Sequence, residues 1–235
     1  MEKEGGSMKD IFIHIGLPKT GTTYLQKYVF PKIKGVNYLS PLQIAMPNYI
    51  LSVEVDDRPL LISDEYLSTN YFVDSKGHMH GSRYTIAENL KKIFPDASII
   101  IVLREKEQWL KSFYLQYLKS VYRTPISFEK FKKGLKENGT LDFEKYIEYL
   151  KENFRRVLVL DYEELRINPH GFIKKICDFM GVETPPLHQI ERKRANVRLN
   201  DRQISFITWV KNRKIKPENK KRLIELFLFI TGGRK

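Results

Sequence analysis

The sequence has little cysteine and no long apolar run. Its single cysteine, Cys177, can form neither an internal disulfide nor a cysteine-based metal site among the 235 residues. This scarcity is typical of proteins from a reducing compartment, and we expect a cytoplasmic location. The apolar run Leu226–Ile230 is far shorter than the roughly 20 residues that span a bilayer. Since the N-terminus also lacks a signal-peptide core, we expect no transmembrane segment.

Internal repeats, low-complexity tracts and linkers rich in proline or glycine are also missing. Their absence argues against a second domain. A chain of 235 residues, of which 42% are hydrophobic, can bury one sizeable core. We predict a single domain over residues 9–235, preceded by a disordered leader or cloning remnant over residues 1–8, MEKEGGSM.

Acidic residues are few relative to basic ones. The chain contains 41 lysine and arginine residues but 28 aspartate and glutamate residues, which leaves a formal net charge of +13. Such a surplus favours an anionic partner, whether a nucleotide, a polyanion, a nucleic acid or a membrane surface. Charge alone does not choose among these partners, and a surface that merely keeps the protein soluble would have the same composition.

Short apolar runs rich in β-branched residues predict buried parallel strands, and helix-like segments separate them. This alternation predicts an α/β fold, a three-layer sandwich in which helices flank a central parallel β-sheet. The segment Asn37–Asp57 is the hardest to interpret and has room for a short strand and a helix. The predicted strands are Ile11–Ile15, Leu60–Ser63, Ser98–Leu103 and Val157–Leu160. The predicted helices are Thr22–Ile33, Thr85–Phe94, Glu105–Val121, Ser127–Lys136, Asp142–Asn153, Pro169–Met180, Asp201–Lys211 and Pro217–Ile230.

The segment GLPKTGTT, residues 16–23, joins the first predicted strand to the first predicted helix. Its glycines allow the backbone to approach a ligand closely, and the helix offers free N–H groups and a positive dipole end to an anion. Lys19 adds a mobile charge, and Thr22 and Thr23 add hydroxyl groups. In the common phosphate loop the lysine follows the second glycine, whereas Lys19 precedes Gly21. The alternative is a strand-to-helix turn in which a threonine merely caps the helix.

The order of residues in PKTGTT resembles the 5′-phosphosulfate loop of the sulfotransferase family, whose donor is 3′-phosphoadenosine-5′-phosphosulfate (PAPS). This resemblance implies the P-loop-like sulfotransferase fold. It also implies a catalytic role for Lys19 at the bridging and leaving oxygens of the donor, with the loop around the 5′-phosphate. The residues that it assigns to donor binding are Pro18, Lys19, Thr20, Gly21, Thr22 and Thr23.

A second motif supports the same resemblance. Arg104 follows a predicted strand and Ser112 lies eight positions further on, which is the spacing of the family's second signature. An arginine at the carboxyl end of a strand and a serine two turns along the next helix can converge on one phosphate. Together with the first motif, this pair indicates a donor with both 5′ and 3′ phosphates. Taken alone, each residue also fits a bland role, a surface ion pair for Arg104 and a helix-face serine for Ser112.

The resemblance continues more loosely into the last third of the chain. The stretch DYEEL, with Tyr162, looks like the family's turn after its last strand, and we expect Tyr162 to have a structural role. In the basic segment ERKRANVRLN, relatives close a loop over the 3′-phosphate and the adenine. Arg192, Lys193 and Arg194 are therefore candidate donor ligands, with a solvated run of charges as the alternative.

Sulfuryl transfer to a hydroxyl group requires a general base within hydrogen-bond reach of the acceptor. Glu65 is the first candidate, because the strand Leu60–Ser63 should end beside the phosphate loop. Its neighbour Asp64 could point inward instead, or the acidic pair could belong to a helix start capped by Ser63. His14, two residues before the loop, is the second catalytic candidate, although a lone histidine in a buried strand also fits a hydrogen-bonded core residue.

We expect the acceptor to bind at the segment Tyr66–Arg83. His78 and His80 in this segment have a spacing seen in metal sites, but no third ligand accompanies them. Because Lys19 and the loop N–H groups can supply the electrostatics, we expect that no metal is required. The candidate acceptor residues are Tyr71, Phe72, His78 and Arg83, with Tyr114, Tyr117 and Tyr122, which share the helix after Arg104.

The sequence thus predicts an enzyme, a PAPS-dependent sulfotransferase whose hydroxyl acceptor is a carbohydrate or another small molecule. One alternative is a nucleotide or small-molecule kinase on a related scaffold. It is disfavoured because no lysine directly follows Gly21 and no predicted strand ends in the aspartate expected to hold magnesium. The other alternative is a basic nucleic-acid-binding module, but no RNA-binding or helix-turn-helix signature is present, and we expect no nucleic-acid partner.

Overall fold

The structure, a computed structural model, describes residues 10–40, 56–68, 72–73, 79–80, 82–120, 126–190 and 201–231. The strands in these ranges are β1 (Ile11–Ile15), β2 (Asn37–Leu39), β3 (Leu60–Asp64), β4 (Phe72–Val73), β5 (Met79–His80), β6 (Ser98–Leu103) and β7 (Arg156–Asp161). Five of them form one parallel sheet in the order β2-β3-β1-β6-β7, while β4 and β5 form a separate antiparallel pair.

Helices connect the strands of the sheet. The first, α1 (Thr22–Tyr24), continues as a π-helical stretch over Leu25–Val29 and a 3-10 turn over Phe30–Lys32. The others are α2 (Arg83–Ile93), α3 (Lys106–Ser120), α4 (Phe128–Glu137), α5 (Phe143–Asn153), α6 (Tyr162–Ile167), α7 (Pro169–Met180), α8 (Asp201–Lys211) and α9 (Pro217–Ile230), with short 3-10 turns at Glu65–Leu67 and Leu187–Gln189.

The central strands bury side chains on both faces of the sheet, as parallel strands in the middle of an α/β fold must. On one face Ile13 of β1 packs in a cluster with Ala87 of α2. On the other face Phe12 packs with Leu25, just after α1, and with Ile173 of α7. Helices therefore cover both faces, and the predicted three-layer α/β sandwich is confirmed.

The boundaries differ from the sequence prediction where local signals are weak. The predicted helix Thr22–Ile33 is α-helical only over Thr22–Tyr24, and Pro31, which has no N–H, lies in the 3-10 turn that ends the helical segment. The stretch after β7 was expected to be a turn, but it forms α6, which begins where Asp161 accepts a hydrogen bond from the Glu163 N–H at 2.9 Å. A two-turn helix contains too few residues to show a periodic pattern.

The last two helices form an antiparallel hairpin. Nε2 of Gln203 in α8 donates to the carbonyl oxygen and the hydroxyl of Thr231, directly after α9, at 3.2 and 2.9 Å. The inner side of the hairpin packs on α3 in one apolar cluster that includes Leu17, Trp109, Ile207 and Leu228.

The predicted leader, residues 1–8, lies outside the described residues. Among the helices of the described ranges, none combines the length and the apolar character needed to cross a membrane.

Candidate active site

Residues 16–23, which run from the end of β1 into α1, lie at the carboxyl edge of the sheet, beside the end of β3. The Gly16 N–H donates to the Asp64 carbonyl oxygen at 3.2 Å, which joins the loop to the neighbouring strand. A Cβ atom at Gly16 would lie 2.6 Å from Cγ2 of Thr22, so no larger residue fits at this turn. The strand order therefore places the loop where parallel sheets bind their ligands.

The loop has a specific backbone conformation. Lys19 has a φ of 67° and Gly21 a φ of 85°, so both adopt the left-handed conformation that a lysine rarely takes. Within the loop, the Thr20 hydroxyl donates to the Leu17 carbonyl oxygen at 2.6 Å, and the Thr22 hydroxyl donates to the same oxygen at 3.3 Å. These bonds hold the turn closed around a half-buried lysine side chain.

The helix that follows the loop begins without a side-chain cap. Gly21 occupies the capping position, and its carbonyl oxygen accepts the first helical bonds from Tyr24 and Leu25 at 2.9 and 3.1 Å. The N–H groups of Thr22 and Thr23 precede those bonds, so the helix start offers donors and a positive dipole end to an anion. Of the two threonines, Thr22 is buried and Thr23 is exposed. The geometry supports the predicted anion site.

Arg104, the first residue of the second motif, lies beside the loop. Nη1 of Arg104 lies 3.5 Å from the Lys19 carbonyl oxygen, and Nη2 lies 3.5 Å from Oε1 of Gln108. Ser112 is half-buried on α3, four residues beyond Gln108 and hence on the same side of the helix. Its contact with the same phosphate as Arg104 stays a prediction.

Two residues of the site were missed by sequence reasoning. The Arg104 guanidinium lies 4.9 Å from the centre of the Tyr162 ring, and a Cβ atom at Gly21 would lie 3.3 Å from that ring. Tyr162 therefore lies against the loop rather than only in the core. The indole N–H of Trp109, which is fully buried, donates to the Pro18 carbonyl oxygen at 2.8 Å. Pro18 thus anchors the loop through its backbone.

Glu65 begins a 3-10 turn directly after β3 and is half-buried. Burial raises the pKa of its carboxyl, and the Asp64 carboxylate raises it further, while the nearby Lys19 ammonium lowers it. The cap of this turn is Asp64, whose Oδ1 accepts a hydrogen bond from the Tyr66 N–H at 2.9 Å. Ser63 is buried and takes no part in the cap. The capping role therefore belongs to Asp64, and the role of Glu65 as a general base stays a prediction.

His14 lies beneath the loop rather than in it. Its ring is fully buried, Nδ1 lies 2.8 Å from the Ser63 hydroxyl, and the Phe30 ring packs against it at 5.1 Å. Burial lowers the pKa of His14 to about 3, so the ring is neutral and weakly basic at physiological pH. Nε2 has no hydrogen-bond partner within the described part of the chain. This placement supports the core alternative over a catalytic role for His14.

An open groove of about 380 Å³ lies at the carboxyl ends of β6 and β7. Arg104 lines this groove and also lies beside the Lys19 carbonyl oxygen, so the groove opens next to the phosphate loop. A volume of this size is typical of sites that hold a small molecule. The groove is lined by Leu103, Arg104, Glu105, Val159, Leu160, Asp161 and Glu163.

Several candidate acceptor residues have structural roles instead. Arg83 is buried, donates to the Thr140 carbonyl oxygen and lies 4.6 Å from the Tyr146 ring, so its predicted contact with the acceptor is wrong. Tyr114 and Tyr117 pack in the core and bond to the backbone of Ile126 at 2.9 and 3.0 Å. The acceptor candidates Tyr71, His78 and Tyr122 lie outside the described residues, and so do the candidate donor ligands Arg192, Lys193 and Arg194.

In the ranges that the structure describes, no group of three or more histidine, cysteine, aspartate and glutamate side chains is arranged to hold a metal ion. Phe72 and His80 pair across β4 and β5.

A sequence profile of the sulfotransferase domain family matches residues 8–223 of the chain. The chain therefore belongs to this family, and it is a sulfotransferase. Comparison with curated proteins finds no match.

Solved structures of sulfotransferases are similar in fold. One from Alicyclobacillus acidocaldarius is 16% identical with a TM-score of 0.52, and the alignment covers 89% of this chain and 98% of that one. A mouse sulfotransferase in complex with PAP is 17% identical with a TM-score of 0.47, over 88% of this chain and 66% of that one. A sulfotransferase domain from the curacin biosynthetic pathway is 15% identical with a TM-score of 0.47, over 81% of each chain.

Proposed function

We propose that this sulfotransferase transfers the sulfuryl group of PAPS to a hydroxyl group of a carbohydrate or another small molecule. The observation that carries the proposal is the convergence of Lys19, an uncapped helix start and Arg104, whose Nη1 lies 3.5 Å from the Lys19 carbonyl oxygen. Two cations on one loop and one strand end suit a ligand with two separate phosphate groups. The adjoining groove offers room for the nucleoside.

The chemistry follows from where charge moves. As the acceptor oxygen bonds to sulfur, the bond from sulfur to the bridging oxygen breaks, and negative charge gathers on the departing 5′-phosphate. The Lys19 ammonium and the N–H groups at the start of α1 are placed to stabilise that charge. The Glu65 carboxylate takes the proton from the acceptor hydroxyl. The acceptor then leaves as a sulfate monoester, and Glu65 is left protonated.

The test is a thermal-unfolding titration with 3′-phosphoadenosine-5′-phosphate (PAP), which is the nucleotide product, and with ATP and AMP. PAP at 100 times its dissociation constant should stabilise the fold by about 2.7 kcal/mol. We expect AMP, which lacks the 3′-phosphate, to stabilise the protein much less at the same concentration. If ATP with magnesium stabilises the protein as strongly as PAP does, a kinase is the better assignment.

One variant makes the titration specific for the second phosphate. Arg104→Ala should remove most of the difference between PAP and AMP, because Arg104 is the candidate ligand of the 3′-phosphate. Lys92→Ala, which removes an equal charge from an exposed position on α2, is the matched control and should leave the difference intact. Equal losses in both variants would indicate a general effect of net charge.

A further inference from the structure

The hairpin of α8 and α9 has two apolar sides, although packing on the domain requires only one. The inner side is buried, with Ile207 at 1% and Leu228 at 4% exposure. On the outer side large apolar residues face solvent. They are Trp209, Leu223, Leu226, Phe229 and Ile230, with exposed fractions of 51%, 39%, 57%, 75% and 70%. We refer to these five residues as the outer apolar face.

The outer apolar face is continuous across both helices. Leu223, Leu226 and Ile230 are spaced by three and four residues, which places them on one side of α9. On α8 the ring of Trp209 neighbours that of Phe206, and Phe206 stacks on Phe227 of α9 with ring centres 3.8 Å apart. The half-buried Phe206 and Phe227 thus lie between Trp209 on α8 and the exposed apolar residues of α9.

Basic residues outnumber acidic ones in this hairpin. Residues 201–231 contain eight lysine and arginine residues but three aspartate and glutamate residues. The Arg213 guanidinium lies 4.7 Å from the centre of the Trp209 ring, so charge borders the apolar surface directly. The exposed basic residues at the turn and on α9 are Arg213, Lys214, Lys216, Lys221 and Arg222.

We propose that the outer apolar face docks this sulfotransferase on an anionic membrane surface. Tryptophan and other large apolar side chains enter the boundary between headgroups and acyl chains, while lysine and arginine attract anionic headgroups. In this hairpin Arg213 borders the Trp209 ring, and Arg222 lies four residues before Leu226 and hence on the same side of α9. A second copy of the chain is a poorer occupant, because a symmetric contact would bring the two basic rims against each other.

The proposal is tested with the full chain and sedimented lipid vesicles. Vesicles of phosphatidylcholine mixed with phosphatidylserine should bind the protein, and vesicles of phosphatidylcholine alone should bind it at least tenfold more weakly. Added salt should weaken the binding, since headgroup attraction is screened. Trp209 emission should shift to shorter wavelength on binding, because its indole is half-exposed in solution whereas the other tryptophan, Trp109, is already fully buried.

Paired variants separate this face from the rest of the surface. Phe229→Ser with Ile230→Ser should abolish binding, whereas Ile93→Ser with Ile167→Ser, which are 65% and 83% exposed elsewhere, should not change it. Lys221→Glu with Arg222→Glu should weaken binding by at least about fivefold for each basic residue lost.

The matched charge control is Lys92→Glu with Lys151→Glu, which are exposed on α2 and α5. Unchanged melting temperatures will show that every variant is folded. No binding to anionic vesicles, or equal losses in both members of a pair, would overturn the proposal. A dimer that the Phe229 and Ile230 changes dissociate would overturn it in favour of a second copy.

Discussion

Glu65, the proposed general base, lies in surroundings that lower the stability of the fold when its carboxyl is ionised. It is half-buried beside the Asp64 carboxylate, and both effects raise the pKa of its carboxyl above the ordinary value of 4.5. A raised pKa means that the folded protein binds this proton more tightly than the unfolded chain does. Ionised Glu65 therefore destabilises the fold at neutral pH, and that cost fades as the pH falls through the raised folded-state pKa towards the unfolded-state pKa.

We predict that Glu65→Gln lowers turnover by roughly 100-fold or more while the melting temperature at pH 7 stays equal or rises. Any gain in stability should disappear at acidic pH, where Glu65 is protonated in both states. Turnover and thermal unfolding are measured on the same preparation across pH.

The comparison variant for Glu65 is Asp64→Ala, which removes the cap and should cost about 1 kcal/mol of stability. A Glu65→Gln protein that is less stable yet fully active would show that Glu65 has a structural role only.

At the residue scale, the sequence was sufficient to predict which side chains of a motif belong to the site. It was insufficient to predict contacts between residues of different motifs. Lys19 and Arg104 were predicted from their positions after strands, and the structure brings them together. Tyr162 was not predicted, because its contact with Arg104 depends on how β6 and β7 lie side by side. His14 was ambiguous because a strand buried on both faces shows no alternation that would tell which face a side chain takes.

At the scale of elements, the phosphate loop depends on α3. The Trp109 indole is fully buried and joins the helix to the Pro18 carbonyl oxygen at 2.8 Å. We predict that Trp109→Phe costs about 1–3 kcal/mol of stability, because it leaves that buried oxygen without its donor. PAP binding should weaken as well, since the loop loses its anchor.

Chemical unfolding and PAP titration check the Trp109 prediction. Trp209→Phe is the control, because Trp209 is 51% exposed and its replacement should leave both measurements unchanged. Wild-type values for Trp109→Phe would mean that the loop holds its shape without α3.

The bounds of helices were predicted best where an apolar pattern repeats over several turns. The bounds of α7, α8 and α9 coincide with the predicted ones, since each contains several turns of a regular apolar pattern. The π-helical stretch Leu25–Val29 had no such signal. It is accompanied by a tertiary contact, in which Nε2 of Gln26 donates to the carbonyl oxygen and the hydroxyl of Ser63 at 3.3 and 3.1 Å.

For the whole molecule, the buried His14 predicts sensitivity to acid. The pKa of His14 is about 3 in the folded protein and 6.5 in the unfolded chain. Between these pH values the unfolded chain binds a proton at His14 that the folded protein does not bind. Stability should therefore fall as the pH drops from about 6.5 towards 3, by up to about 1.4 kcal/mol per pH unit from this one group.

Urea unfolding at several pH values measures this slope. We expect His14→Gln to have a shallower decline than the parent protein, whereas His170→Gln, at an exposed position on α7, should follow the parent curve. An unchanged slope in His14→Gln would assign the acid sensitivity to other groups.

The class of fold was predictable from the alternation of strands and helices, since a parallel sheet needs crossover helices on both faces. The acceptor residues were less predictable. Arg83 and Tyr114 have the residue types of a binding cleft, but both are satisfied by backbone partners in the interior. Residue type alone cannot distinguish a binding role from a structural one. The same guanidinium or hydroxyl group can bind a ligand in a cleft or a backbone carbonyl oxygen in the core.

The apolar cluster that contains Leu17, Trp109, Ile207 and Leu228 also restricts which substitutions evolution can accept in the hairpin. The inner positions of the hairpin support the loop itself, so natural variants should accept only apolar residues of similar volume there. The outer positions 226 and 229 are mostly exposed instead, at 57% and 75%. Drift to polar residues at these two positions, with the inner ones unchanged, would mark lineages in which the enzyme works away from a membrane.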